Sequence, residues 1–459
     1  MKEELFKKME KMFPLIEHRY RPVEPLELTI CRLARGNTFN MRVVGLEAVK
    51  RLRRENPDCA VTFKPNHLSE GDFMLLSLLF LENGMRVLTE GGDNLFLEHI
   101  DVFEDLLPLF VHPEFQKADG GEPLSLADYL STRGAFKVFR EPQTLKNPDG
   151  EEITIGKKDI LTLSQAYRCH LVRQKEMFVT FPGYSSVKSG FMGLKKKDST
   201  KTGRSYTGKF DGFHHLPFQM DIEASMATGV DVYIVPVNIS YSPVIEDELF
   251  VELLRLQEAG ADRNKIYLKD LGHVVESFCR DKRKGELSIK FWEPIKIETS
   301  GLGDPFSSLK KKNAAKFLAK STFRKSLAMQ PVFPANIYFS AFDDELTRIS
   351  INRMRERIDD LRDRLRHLSW GNKKWRVDLS YVLDYRNHII SADEIINRTF
   401  QLFNTRDRRI TARDGDRFVV YNHHAAMQYR NHIAHFFETD EKDAKDKSKE
   451  QRRRSGNLI

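Results

Sequence analysis

The 459-residue chain carries 74 Lys and Arg against 66 Asp and Glu, a net charge of +8, and 40% of its residues are hydrophobic. That apolar content excludes a disordered polymer, and the length allows one large domain or two to three ordinary ones. Four scattered cysteines (Cys31, Cys59, Cys169, Cys279) form no Cys-x-x-Cys pair, which argues against a disulfide framework or a zinc site and fits a reducing, cytosolic-facing environment.

In chain order, residues 1–57 read as an N-terminal helical segment with a break at Arg21-Pro22-Val23-Glu24-Pro25, and Met1 to Leu5 show no secretory pattern. From 58 to 300 short apolar strands alternate with helices. Strands are expected at 60–63, 86–89, 135–139, 177–181, 232–237 and 287–291, and helices at about 72–83, 159–175, 217–228 and 245–259. This alternation predicts an α/β domain, a mostly parallel sheet flanked by helices, with its site at the strand C-terminal ends. His67, Arg140 and Pro182 each fall just past such an end. The longest apolar run, Phe73 to Leu81, is nine residues, too short to cross a bilayer. Between Tyr184 and Lys209 seven basic residues stand against one acidic, with Phe191, Met192 and Leu194 among them. A solvated surface loop and a loop touching anionic lipid are both open readings.

Residues 301–334 read as a linker and 335–437 as an α-helical C-terminal region. There Met354, Ile358, Leu361, Leu365 and Leu368 form the stripe of one amphipathic helix, and further helices are expected at 391–403 and 421–437. Tyr-Arg-Asn-His-Ile occurs at 385–389 and again at 429–433, too short to make a structural repeat. The tail 438–459 is almost entirely charged and is expected to be disordered.

The segment Asn66-His67-Leu68-Ser69-Glu70-Gly71-Asp72 concentrates the chemistry. An imidazole that takes a proton from a hydroxyl needs a carboxylate to fix its tautomer and stabilise its charged form. His67 before a helix and Asp72 in its first turn could supply both. The same residues also read as a helix start, with Ser69 as N-cap and Asp72 three positions on, a capping-box-like pattern. The spacing leaves both readings open.

Three further segments follow in order: Gly134-Ala135-Phe136-Lys137-Val138-Phe139-Arg140, the strand from Met177 into Phe181-Pro182-Gly183, and Val235-Pro236-Val237-Asn238-Ile239-Ser240-Tyr241-Ser242-Pro243. Together with the His67 segment they resemble the four blocks of the glycerolipid acyltransferase superfamily, closest to the membrane-associated glycerol-3-phosphate acyltransferases. Phe291-Trp292-Glu293-Pro294-Ile295 is similar to the family's strand after the fourth block, with Trp292 where a glycine is usual. Ala426 to His435 is similar to a C-terminal motif of the glycerol-3-phosphate enzymes. The third block lacks the family's glutamate. An ungapped reading places Lys188 where the family has its arginine. A reading with about twenty inserted residues, which we prefer, recovers Gly203-Arg204-Ser205-Tyr206-Thr207-Gly208. Gly203 to Lys209 also matches the start of a P-loop, but Phe210 follows where a Ser or Thr is required.

The resemblance implies transfer of an acyl chain from acyl-CoA or acyl-carrier protein to the sn-1 hydroxyl of glycerol 3-phosphate, giving lysophosphatidate for phospholipid synthesis. His67 would be the general base and Asp72 its orienting partner. Arg140 and Arg204, or Lys188 in the other alignment, would grip the phosphate. Gly134, Gly203 and Pro236 would shape the cleft, although Pro236 can also be read as a strand end. Backbone N–H groups at the helix start could hold the oxyanion. No metal or cofactor is implied. Expected partners are the thioester donor, glycerol 3-phosphate and an anionic membrane surface; no nucleic acid is expected. The expected location is cytoplasmic, at the inner face of the cell membrane. Lysophosphatidate or dihydroxyacetone phosphate as acceptor, and an impaired membrane-surface scaffold of the same fold, remain alternatives. Cys59 and Cys169 read as packing residues rather than acyl-carrying nucleophiles.

Overall fold

Residues 60–65, Ala-Val-Thr-Phe-Lys-Pro, are buried at every position, the pattern of a strand covered on both faces, and they form the centre of the principal sheet. The computed structural model describes residues 9–10, 12–13, 39–69, 71–92, 134–139, 142–146, 152–187, 200–202, 212–245, 285–300, 308–342, 347–371, 377–404 and 410–437, with isolated positions between 247 and 274.

The elements of the first unit run β1 (Phe39–Val44), α1 (Leu46–Glu55), β2 (Ala60–Pro65), α2 (Gly71–Glu82), β3 (Leu88–Gly92), β4 (Ala135–Val138), β5 (Gln143–Lys146) and β6 (Glu152–Ile155). They continue with α3 (Lys157–Arg173), β7 (Met177–Val179), β8 (Gly183–Val187), β9 (Thr200–Thr202), β10 (Gly212–Phe213), α4 (Leu216–Thr228), β11 (Val232–Tyr241), β12 (Gly285–Phe291), β13 (Ile295–Lys296) and α5 (Ser308–Ala328).

The principal sheet has eight strands in the order β1-β12-β11-β2-β7-β3-β4, with β13 also on β11. Its pairings are parallel except where β11 meets β12 and β13, so it is mixed and mostly parallel. The alternation of β2 sends Phe63 towards α2, where its ring lies 4.7 Å from Phe80 and 6.0 Å from Phe291. Its neighbours Thr62 and Lys64 face the other side, beneath α3 and α4. There Leu163, Ala166 and Tyr167 of α3 and Phe218 and Ile222 of α4 share a core with Phe178, Val232 and Ile234. Gly45 joins β1 to α1 at φ +85°, and a Cβ there would lie 2.1 Å from the Phe291 carbonyl oxygen.

The second unit holds α6 (Pro334–Ser340), β14 (Arg348–Ser350), α7 (Ile351–Gly371), α8 (Ala392–Phe403), β15 (Thr411–Asp414), β16 (Arg417–Val420) and α9 (residues 423–437). The stripe Met354, Ile358, Leu361, Leu365 and Leu368 is buried as its spacing requires. Tyr429 of α9 receives a hydrogen bond from the Val244 N–H at 2.9 Å and donates its own hydroxyl to the buried Asp247.

Several boundaries differ from the sequence reading. The expected helical segment 1–57 contains β1, paired in register with β12, so the sheet begins at Phe39. β1 alternates buried and accessible positions over Phe-Asn-Met-Arg-Val-Val, too polar to stand out as a strand. The expected linker 301–334 contains the 21-residue α5. Its buried side is made of Lys311, Ala315, Ala319, Thr322 and Ser326, a lysine and small residues that leave no apolar stripe. The C-terminal region also carries a three-stranded sheet, β14-β16-β15, whose β15–β16 turn uses Gly415 at φ +59°. Pro236 lies in the interior of β11 rather than at a strand end, and its carbonyl accepts the Trp292 N–H at 2.9 Å. The helix expected at 245–259 falls mostly outside the described residues, and the tail 438–459 lies wholly outside them. No helix among the described residues is long and apolar enough to cross a membrane.

Candidate active site

The parallel core aligns the C-terminal ends of β2, β7 and β11, and each end delivers one part of the site. β2 and β11 run in register up to Pro65 and Val237, after which β11 continues for four residues to Tyr241. Asn66 extends the ladder with its side chain. Its Oδ1 accepts the Ile239 N–H at 2.7 Å and its Nδ2 donates to the Ile239 carbonyl at 2.8 Å. A side-chain amide can make both bonds at once, and this pair fixes the chain where it leaves the sheet. His67 is the next residue.

Asp72, in the first turn of α2, is fully buried. Its Oδ2 accepts the Leu68 N–H at 2.7 Å, the Ser69 N–H at 3.1 Å and His67 Nδ1 at 2.9 Å. Its Oδ1 accepts the Tyr241 hydroxyl at 2.5 Å. A carboxylate that accepts two backbone N–H groups takes a proton donor from the imidazole, so His67 carries its proton on Nδ1 and presents the Nε2 lone pair. Phe181, two residues past β7, lies with its ring 4.8 Å from the imidazole. His67 remains 17% exposed, and so the ring can meet a substrate while its partner cannot.

The two readings of this segment hold together. The Ser69 N–H to Asp72 Oδ2 bond is the reciprocal half of a capping box, the Ser69 hydroxyl accepts the Gly71 N–H at 2.9 Å, and the Asp72 N–H bonds the Ser69 carbonyl at 3.0 Å. One carboxylate both starts the helix and orients the histidine. The N–H groups of Leu68, Ser69, Gly71 and Asp72 are thereby all occupied, so these four do not form the expected oxyanion hole.

Beneath Phe181 lies a charged network that the motif reading missed. Lys64 of β2 and Asp221 of α4, both fully buried, are 2.7 Å apart. Arg168 of α3 donates to Asp221 at 2.7 Å, to Glu90 of β3 at 2.5 Å and to the Thr180 hydroxyl at 3.2 Å. The Thr180 hydroxyl donates to Glu90 at 3.1 Å. Two cations and two anions balance, which is the condition for burying them. Burial lowers the Lys64 ammonium to about 8 against the opposing pull of Asp221. The network ties Thr180, and with it Phe181, to four neighbouring elements, α3, β3, α4 and β2. Its one signal in the sequence is a lysine inside an otherwise uncharged strand.

Of the other expected residues, Gly134 immediately precedes β4 at φ +85°, beside Leu88 and Val87, and its carbonyl accepts the Thr89 N–H. That is the opposite end of the strand from the one leading to Arg140, so Gly134 shapes a turn and does not join His67. Pro236 is buried in β11, five residues before Tyr241. Arg140, Lys188, Gly203 and Arg204 lie outside the described residues. The basic stretch 184–209 contains the β8–β9 pairing, Ser185 to Val187 against Thr200 to Thr202. Cys59 and Cys169 are buried, and burial pushes both thiols up, away from the thiolate that a nucleophile requires.

No protein-family model matches the chain, and no curated protein matches it.

Proposed function

We propose that the chain is an acyltransferase that moves a fatty acyl group from a thioester donor to the sn-1 hydroxyl of glycerol 3-phosphate. The observation that carries this reading is the His67–Asp72 pair. It provides a partly exposed general base with its tautomer fixed by a fully buried carboxylate, at the strand ends where α/β sheets build sites. The order of the four motif blocks supplies the reaction class. His67 Nε2 takes the hydroxyl proton as the oxygen attacks the thioester carbonyl, the C–O bond forms, and the C–S bond breaks. A thiolate with a conjugate pKa near roughly 8.5 leaves without strong acid assistance. Asp72 steadies the imidazolium until the proton passes on.

Wild-type protein with long-chain acyl-CoA and radiolabelled glycerol 3-phosphate is expected to form lysophosphatidate. His67→Ala should lower the rate about 10²–10⁴-fold. Turnover of lysophosphatidate alone would assign the second acylation step instead. No transfer from acyl-CoA or acyl-carrier protein to either acceptor, or to dihydroxyacetone phosphate, would overturn the proposal.

A further inference from the structure

Helix α5, Ser308–Ala328, contains seven basic residues and no acidic one. At 100° per residue its exposed positions gather on one side: Lys310, Lys312, Lys316, Lys320 and Arg324, together with Leu309 (70% exposed) and Phe317 (72% exposed). Among the described residues none of these five cations is within ion-pair distance of a carboxylate. The other long charged helix, α7, behaves differently: Arg353, Arg362 and Arg366 pair with Glu356, Asp359 and Asp363, and Arg355 pairs with Asp393. Both helices are rich in cations, but only α7 neutralises its own.

The face continues beyond α5. The Phe213 ring lies 5.3 Å from that of Phe323 on α5, which places the start of α4 against this helix, where burial and then the Lys312 and Lys316 charges hold the His215 imidazole below its usual range. The next residue, Leu216, is 41% exposed, and with Leu161 of α3, 51% exposed, it lines a cavity of about 230 Å³ whose walls include Phe136, Phe139 and Tyr167. Exposed apolar side chains therefore lie within the uncompensated basic strip, at Leu309 and Phe317, and beside the apolar cavity, at Leu161 and Leu216.

We propose that this face, α5 with the adjoining start of α4 and Leu161, docks on an anionic phospholipid bilayer. The lysines and Arg324 meet headgroup phosphates, and Leu309 and Phe317 insert at the acyl boundary. The mouth of the apolar cavity then faces lipid. Nucleic acid would use the same charge but has no use for four exposed aliphatic and aromatic side chains, and the bilayer accounts for both features. Vesicle binding is read without turnover, so this assignment and the acyl-transfer reading can fail separately.

The test is cosedimentation of the full chain with vesicles of phosphatidylcholine alone or with added phosphatidylglycerol. The wild type is expected to bind only the anionic vesicles, with an affinity that falls as salt is raised. A Lys312→Gln/Lys316→Gln/Lys320→Gln variant should bind roughly a hundredfold more weakly. Leu309→Ser/Phe317→Ser should lose about tenfold or more while keeping its salt dependence. An Arg353→Gln/Arg355→Gln/Arg398→Gln control, of equal net charge to the lysine variant, should bind as the wild type does. Unchanged melting temperatures show that the variants fold. Wild-type protein that ignores anionic vesicles, α5 variants that bind like wild type, or a control that loses as much would each overturn the proposal. Duplex DNA that displaces the vesicles would reassign the face to nucleic acid.

Discussion

Asp72 accepts bonds from two backbone amides, an imidazole and a phenol, so its replacement should be felt in both rate and stability. Asp72→Asn keeps the shape but offers one acceptor oxygen, and its amide competes for the wrong imidazole tautomer. Acyl transfer is expected to fall about 10²–10⁴-fold in steady-state assays. Tyr241→Phe removes one donor and leaves the rest. It should lower kcat about tenfold with KM little changed, because the hydroxyl steadies the orienter and touches no substrate; a rise in KM alone would place Tyr241 in binding instead. His67 and Asp72 were legible in the sequence because they sit five residues apart. Tyr241 and Asn66 were not, because their bonds join residues 169 and 173 positions apart. Lys64 makes a third test. Its ammonium is lowered to about 8 from 10.5, so the unfolded chain holds that proton more tightly than the folded one. The burial penalty is full below about pH 8 and vanishes as pH rises past 10.5. Wild type should therefore gain stability relative to Lys64→Met between those values, by up to about 3 kcal/mol at roughly 1.4 kcal/mol per pH unit. Urea melts of both proteins across that range check it, and a flat difference would refute the assignment.

At the scale of the element, period and burial decided what could be read in advance. The buried strands β2, β7 and β11 and the α7 stripe declared themselves through short runs rich in apolar residues or four-three spacing. Edge strand β1 and helix α5 did not, since one alternates weakly and the other buries a lysine with alanine, serine and threonine. The repeated pentapeptide shows how far local sequence reaches. At 385–389 it forms a turn, with Asn387 at φ 60° and its N–H bonded to the Asp384 carbonyl, while at 429–433 it lies within α9. In the second copy Tyr429 is buried against Asp247, whereas Tyr385 is 86% exposed, so tertiary surroundings select the conformation. Among the described glycines, Gly45 at the β1–α1 junction is the most closely confined. Gly45→Ala must adopt positive φ and place a methyl 2.1 Å from the Phe291 carbonyl. It should destabilise the protein by at least about 1–3 kcal/mol in urea unfolding, with a shift in midpoint and no change in slope.

Across the whole molecule, the α/β class and the sheet's parallel core followed from alternation, and so did the placement of His67 just past the end of β2. The antiparallel β11–β12 pairing did not, because both strands are buried along nearly their whole length and carry no mark of direction. The phosphate-gripping residues of the proposed reaction stay an expectation from the motif blocks, so the central claim rests on the dyad acting as one device. A double-mutant cycle on acyl transfer to glycerol 3-phosphate, comparing wild type, His67→Ala, Asp72→Asn and the double variant, tests it most directly. Residues that act as a unit are non-additive, so the double variant should be no slower than His67→Ala alone. Losses that multiply, a His67→Ala enzyme that keeps wild-type turnover, or a wild type without turnover would contradict the account.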